Sequence, residues 1–107
     1  MPKYLMLALN GPTGGKGDEA AFNKWYDEIH LPDFKAIEGI RVARRYKVIN
    51  ASLPGKEAWP YLAAYEIETD DLGAIMGRLA RELRPFDPTL DRERSANLIA
   101  VQIGGDD

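Results

Sequence analysis

The sequence predicts a single α+β domain with the element order strand–helix–strand–strand–helix–strand. Three observations support this prediction. The chain has 107 residues, about the length of one domain. Two segments place apolar residues with helical spacing, and four other segments have the length and turn-rich flanks of strands. We find no internal linker, so residues 1–107 are predicted to form a four-stranded antiparallel sheet with both helices on one face.

The first strand is predicted over Lys3–Asn10, a compact apolar run that ends at an Asn-Gly-Pro turn. Both of its faces are apolar, which is typical of a strand covered on two sides. The loop Gly11–Gly17 is rich in glycine but lacks the Lys-Ser/Thr ending of a phosphate loop. We interpret it as a flexible connection and expect Asp18 to cap the next helix.

The first helix is predicted from Glu19 to His30. Pro32 interrupts the helical pattern, and one more turn is expected from Asp33 to Ile37 before Gly39. One apolar stripe follows the helical period along the first segment: Phe22, Trp25, Tyr26 and Ile29.

Two strands follow, over Ile40–Asn50 and Tyr61–Glu68, separated by a loop with a Pro-Gly turn. Strict alternation in the first of them predicts a shared face for Ile40, Val42, Arg44, Tyr46 and Val48. The alternation in Tyr61–Glu68 places Tyr65 on the same face as Tyr61.

The second helix is predicted to begin at a cap on Thr69 or Asp70 and to stop at Pro85. Its apolar stripe consists of Leu72, Ile75, Met76, Leu79 and Leu83. The fourth strand is predicted over Asn97–Ile103, followed by a frayed acidic tail.

The composition narrows the range of partners and cofactors. The net charge of −3 is a poor match for nucleic acid or an anionic membrane. The absence of cysteine excludes disulfides, zinc–thiolate sites and iron–sulfur clusters. One histidine with scattered carboxylates gives no metal signature, and without a second donor a haem role is disfavoured. The apolar run near the N-terminus is too short for a signal core or membrane span, so we expect a cytoplasmic protein that needs no cofactor.

Both helices are expected to cover one face of the sheet, which leaves apolar residues on the other face exposed to water. Such a patch marks a partner or ligand surface. We therefore expect a homodimer in which two sheets pack face to face.

The one histidine, His30, borders the apolar stripe of the first helix. Helical spacing puts Tyr26 four residues before it and Asn23 seven before it, and Asp33 could orient one ring nitrogen. Imidazole titrates near neutral pH and is the commonest general acid–base group. The alternative is a structural histidine whose charged form interacts with the helix dipole, and the residue taken alone favours this alternative.

One part of the sequence resembles the signature of EthD-type proteins of the dimeric α/β-barrel superfamily. The resemblance lies in Trp25-Tyr26, His30 and Pro32-Asp33, with weaker matches at Gly39-Ile40 and Ala43-Arg44-Arg45-Tyr46. It extends over nearly the whole chain, but only the Trp-Tyr…His-x-Pro-Asp segment is specific. It implies a ferredoxin-like βαββαβ fold in a dimeric α/β barrel.

The resemblance also implies a ligand cleft between the helices and the concave sheet. It puts His30 at the cleft, with Asn23, Trp25, Tyr26 and Asp33 near it. To these we add Arg44, Tyr46 and Tyr65 from the strands, because an arginine on an apolar face needs an anion. The alternatives are an ion pair at the surface or the dimer interface for Arg44 and a place in the core for the tyrosines.

Three functions fit these observations. The first is a cofactor-independent enzyme, of the lyase, isomerase, cyclase or dehydratase type, acting on a small aromatic or polyketide-like molecule. In it His30 takes a proton, Asp33 or a backbone carbonyl fixes its tautomer, and Arg44 or Tyr46 stabilises an oxyanion. The second is a non-catalytic accessory protein that binds a hydrophobic metabolite of aromatic degradation. The third is a stress-related structural dimer without a ligand.

Overall fold

The computed structural model describes residues 1–14 and 16–106, so Gly15 of the predicted glycine-rich loop lies outside the described residues. In chain order the elements are β1 (Lys3–Asn10), α1 (Lys16–Trp25), a π-helical turn (Tyr26–His30), α2 (Leu31–Lys35), β2 (Ile40–Lys47), a short 3-10 turn (Lys56–Ala58), β3 (Tyr61–Glu68), α3 (Leu72–Glu82) and β4 (Ala96–Val101).

The four strands form one antiparallel sheet in the order β2-β3-β1-β4. This order, with the helices on one face, confirms the predicted ferredoxin-like α+β fold. The register places Met6 of β1 opposite Tyr65 of β3 and Ile99 of β4. These side chains lie on the face that the helices cover, which we call the covered face, and the other is the open face.

The first helical layer runs from Lys16 to Lys35 without the interruption predicted at Pro32. That prediction was wrong because Pro32 occupies the first turn of α2, a position whose ring geometry suits a helix start. Asp18, predicted as the helix cap, instead lies in the first turn of α1, where its carboxylate accepts a 3.2 Å hydrogen bond from Thr13 Oγ1.

The cap of α3 is Asp71, not Thr69 or Asp70. Asp71 Oδ1 accepts a 3.0 Å hydrogen bond from the backbone N–H of Ala74. Thr69 supports this cap, because its hydroxyl accepts the N–H of Asp71 at 3.0 Å. The helix ends at Glu82, before Pro85, because Leu83 already adopts an extended conformation.

A β-bulge near the start of β2 changes which face its side chains occupy. Ile40 pairs with Ile67 and Val42 with Glu66, so the register shifts between them and Arg41 is the extra residue. Past the bulge, Ala43 and Arg45 lie on the covered face. The predicted common face of Ile40 with Val42, Arg44 and Tyr46 was therefore wrong, because a one-residue shift exchanges the two faces. β2 also ends at Lys47, three residues before the predicted Asn50, and β4 covers Ala96–Val101 in place of 97–103.

The hydrophobic core lies between the helices and the covered face. Its largest fully buried side chains are Phe22, Tyr26, Tyr65 and Ile67. On the open face Leu5, Tyr46 and Leu98 remain 40%, 47% and 45% exposed, as expected for the sheet face that the helices leave uncovered. Across residues 1–14 and 16–106, no helix has the length and apolar character needed to cross a membrane.

Candidate functional site

A cavity of about 670 Å³ lies between the helical layer and the β1–β4 side of the sheet. Its walls combine apolar side chains with a few polar and two cationic ones. The lining comes from β1 (Met6, Ala8, Asn10), from the first helical layer (Tyr26, His30, Phe34), from α3 (Met76, Leu79, Ala80), from the following irregular segment (Leu83, Arg84, Pro85, Phe86, Leu90, Arg92, Ser95) and from β4 (Asn97).

The π-helical turn brings His30 to this cavity. Both Tyr26 and His30 point inward and are buried at the two ends of the turn, and such turns are frequent at functional sites. The imidazole stacks on the Trp25 ring, with 4.6 Å between ring centres and an interplanar angle of 24°. Tyr26, Phe34 and Phe86 meet it edge-on at 4.9, 5.1 and 5.2 Å.

This aromatic cage keeps the imidazole neutral. Nδ1 of His30 is buried without a hydrogen-bond partner among the described residues. Burial lowers the pKa of His30 from 6.5 to about 4, and the nearby charge of Asp33 opposes this shift only in part. A neutral imidazole can accept a proton, although this low pKa makes it a weak base.

Asp33 has a different partner from the one predicted. Its carboxylate accepts hydrogen bonds from three groups of Arg84. The donors are the backbone N–H at 3.0 Å, Nε at 3.0 Å and a terminal guanidinium nitrogen at 2.6 Å. These bonds hold the pKa of the Asp33 carboxyl below its usual range. No hydrogen bond joins Asp33 to His30 in the described structure, so Asp33 clamps α2 to the chain after α3 and does not fix the imidazole.

Tyr26 and Tyr65 belong to a buried polar group that reaches the cavity wall. Asn10 Nδ2 donates to the Tyr26 hydroxyl at 3.0 Å, and the Tyr26 and Tyr65 hydroxyls lie 3.5 Å apart. Burial raises the pKa of both phenols. Tyr26 and Asn10 line the cavity, whereas Tyr65 packs behind it, stacked on Phe34 at 4.1 Å.

Asn23 lies outside the cavity, in a second polar cluster built on Arg45. The guanidinium of Arg45 donates to Asn23 Oδ1 at 2.8 Å and to Asp27 Oδ1 at 3.0 Å. It also lies over the Tyr26 ring, 4.5 Å from its centre, and over the Tyr61 ring at 5.0 Å. Asn23 donates in turn to the Tyr61 hydroxyl at 3.3 Å. Asn23 therefore positions the helical layer and does not contact the cavity.

Arg44 and Tyr46, predicted to stabilise an oxyanion beside His30, lie on the open face. Arg44 is 61% exposed, and its guanidinium forms an ion pair with Glu66 of the neighbouring strand at 3.8 Å. Neither residue lines the cavity. The prediction placed them at the cleft because the bulge at Arg41 leaves no mark on a simple alternating pattern.

Sequence reasoning did not reveal that the irregular segment 83–95 forms the outer wall of the cavity. The wall is attached to the β1 loop, because Thr13 N–H donates to Thr89 O at 2.8 Å and Asp91 N–H to Gly11 O at 3.0 Å. The stretch contains two prolines, Pro85 and Pro88, and no regular apolar period, but nothing in the sequence showed that it folds over His30. Across residues 1–14 and 16–106, no cluster of three or more histidine or carboxylate side chains could hold a metal ion.

Comparison with known proteins supports the fold. No family model matches the chain. A DABB family protein with a ferredoxin-like fold from Mesorhizobium loti aligns with a TM-score of 0.63 and 11% identity, covering 97% of this chain and 100% of that one. An EthD family protein from Bacillus halodurans aligns with a TM-score of 0.54 and 13% identity, over 96% and 100% of the two chains. The predicted likeness to EthD-type proteins is thus confirmed at the level of the fold.

A third structure with this fold is a dimeric ferredoxin-like protein of unknown function from Jannaschia sp. CCS1. It aligns with a TM-score of 0.57 and 12% identity, over 95% of this chain and 99% of that one. Among curated proteins, core atranone cluster protein 1 of Stachybotrys chlorohalonatus is 36% identical over 64 residues. These residues are 60% of this chain but only 26% of that protein, so the match covers about a quarter of the relative's length.

Proposed function

We propose that this protein binds a small aromatic or polyketide-like molecule in the His30 cavity and catalyses proton transfer on it without a cofactor. The observation that carries this proposal is the histidine itself. It is 6% exposed, held neutral by an aromatic cage and placed in the wall of a cavity of about 670 Å³. That volume lies within the range of small-molecule sites, and such sites are mostly apolar with a few polar groups.

The proposed chemistry begins with a proton leaving an acidic carbon or a phenolic oxygen of the ligand. Neutral His30 accepts this proton and returns it to another atom, which results in isomerisation, cyclisation, dehydration or carbon–carbon cleavage. Trp25, Phe34 and Phe86 surround the imidazole and exclude water from it. The cavity supplies cationic groups for the developing charge from Arg84 and Arg92, in place of Arg44 and Tyr46.

A role as a ligand-binding accessory protein is the second candidate. The observation that favours it is the low pKa of His30, about 4, because so weak a base removes a proton from a carbon acid slowly. In this case the cage around His30 is an aromatic binding wall. The relative named for a core atranone cluster is consistent with either role in the metabolism of such molecules.

We also propose that the protein acts as a homodimer joined through the open faces of two sheets. The exposed apolar side chains there include Leu5, Tyr46 and Leu98. Burying them against a second copy removes apolar surface from water. The Jannaschia protein that shares the fold is described as dimeric.

Deuterium exchange into β-tetralone separates the two candidate functions. This bicyclic aromatic ketone has acidic C1 protons, and their loss in D₂O is followed by proton NMR. We expect the protein to accelerate exchange by about 10²-fold, the lower end of general base catalysis, because His30 is a weak base. His30→Gln should abolish the acceleration, while Glu28→Gln, an exposed neighbour in the same turn, should retain it.

Thermal unfolding with and without β-tetralone provides the accompanying test of binding, because a ligand of the native state raises the stability. Stabilisation without accelerated exchange would support the accessory role and reject catalysis. Full exchange activity in His30→Gln would contradict the role assigned to the histidine.

A further inference from the structure

The charges around the cavity are one-sided. Two arginines, Arg84 and Arg92, belong to its lining, and none of the aspartates and glutamates that the structure describes does. The chain as a whole carries a net charge of −3, so this positive site does not reflect a basic surface. A concave site lined by one sign of charge attracts ligands of the opposite sign.

The two arginines differ in what neutralises them. Arg84 forms an ion pair with Asp33, whose carboxylate accepts from both the side chain and the backbone of Arg84. Arg92 forms no ion pair with any carboxylate of the described residues. The carboxylate of the preceding residue, Asp91, accepts a hydrogen bond from Arg94 Nε at 2.7 Å. Arg92 is thus the cavity's uncompensated charge.

Arg92 is also held in place at the cavity. Its guanidinium lies over the Phe86 ring, 4.4 Å from the ring centre, and the Phe86 ring lies 5.2 Å from that of His30. A guanidinium held over an aromatic face can still bind a carboxylate with two parallel hydrogen bonds through its edge. Ser95 and Asn97 line the same cavity and can accommodate a polar ligand end.

We propose that Arg92 recognises a carboxylate of the ligand, so that the natural ligand is an aromatic acid whose ring system contacts the cage around His30. This inference rests on the proposed function, because it names the class of molecule that the same cavity takes. It also gives the ligand an orientation, with the acid group at the Arg92 end and the ring atoms at the His30 end.

Acid–amide pairs test this proposal, because a carboxamide keeps the shape of the acid and removes its charge. Suitable probes are 4-hydroxybenzoic acid and 6-hydroxy-2-naphthoic acid, each with its amide, measured by calorimetry on the intact protein. We expect each acid to bind at least about fivefold more tightly than its amide, in keeping with a charged hydrogen-bonded contact. The preference should weaken as salt is raised.

The matched variants are Arg92→Gln and Arg94→Gln. Both remove one positive charge from the same segment, but Arg94 is paired with Asp91 and does not line the cavity. Arg92→Gln should lose the preference for acids while still binding the amides, and Arg92→Lys should recover part of it. Arg94→Gln should keep the preference unchanged. Thermal unfolding of each variant checks that it is folded.

The outcomes separate this inference from the proposed function. If the amides bind as well as the acids, or if Arg92→Gln keeps the preference, the carboxylate assignment is wrong and the cavity still takes aromatic ligands. If neither acids nor amides bind to the wild-type protein, the cavity does not take hydroxyaromatic molecules and both proposals are overturned.

Discussion

Arg44 and Arg45 are neighbours in one strand, yet they occupy the two different faces of the sheet. Arg45 lies on the covered face with its side chain 12% exposed, bonded to Asn23 and Asp27 and stacked over aromatic rings. Arg44 lies on the open face, 61% exposed, with an ion pair to Glu66 at 3.8 Å. The comparison shows that a single bulged residue, Arg41, determines which of the two arginine side chains packs against the helices.

The two faces of the sheet also differ in how completely their side chains are buried within one chain. The covered face is completed within the chain by the helices and contains the cavity with His30. The open face leaves Leu5 and Leu98 at 40% and 45% exposure. We infer that the covered face carries the chemistry and that the open face carries the assembly.

The largest expected effect tests the open face. Leu98→Glu places a charge in the proposed contact between sheets, and burying an unpaired charge costs more than such a contact supplies. We expect this variant to be a monomer at micromolar concentration in analytical ultracentrifugation, with the wild-type protein dimeric. Ala21→Glu adds the same charge to the exposed surface of α1 and should leave the dimer intact. A monomeric wild-type protein would refute the assembly.

A smaller effect distinguishes the two arginines. Arg45→Met removes two hydrogen bonds and the stacking over Tyr26, and should lower the free energy of unfolding by about 2 kcal/mol. Arg44→Met, made in the monomeric Leu98→Glu background so that the open face is exposed, removes only an exposed ion pair and should change it by less than about 0.5 kcal/mol. Urea denaturation at one fixed protein concentration measures both values. Equal losses would mean that the bulge does not set the two faces as described.

The sequence was sufficient for the architecture, because strand and helix periods are properties of single segments. β1 and β3 begin and end as predicted, β1 from a compact apolar run that ends at a turn and β3 from its alternation. Residues that break a helical pattern predicted the helix boundaries less reliably. Pro32 was interpreted as a helix interruption, although a proline in the first turn of a helical segment is compatible with a continuous layer.

The candidate site was predictable only in part. The resemblance to EthD-type proteins put His30 at a cleft with Trp25 and Tyr26 near it, and in the structure His30 and Tyr26 line the cavity while Trp25 stacks on His30. Arg44 and Tyr46 were misplaced because a bulge is a relation between two strands and is not visible in one of them. The contribution of Phe86 and Arg92 depends on how an irregular segment folds back over the helices, which no local pattern encodes.

The most direct test of the account is the pKa of His30, measured by NMR. The chain has one histidine, so ¹³C or ¹⁵N labelling of histidine gives a single unambiguous titration. Burial in the aromatic cage should place this pKa at about 4, so that the imidazole is neutral above about pH 5 and becomes charged only as the pH falls through 4. Addition of a bound aromatic acid should shift the same resonances. A pKa near 6.5 that no ligand perturbs would show a solvated imidazole and contradict the site.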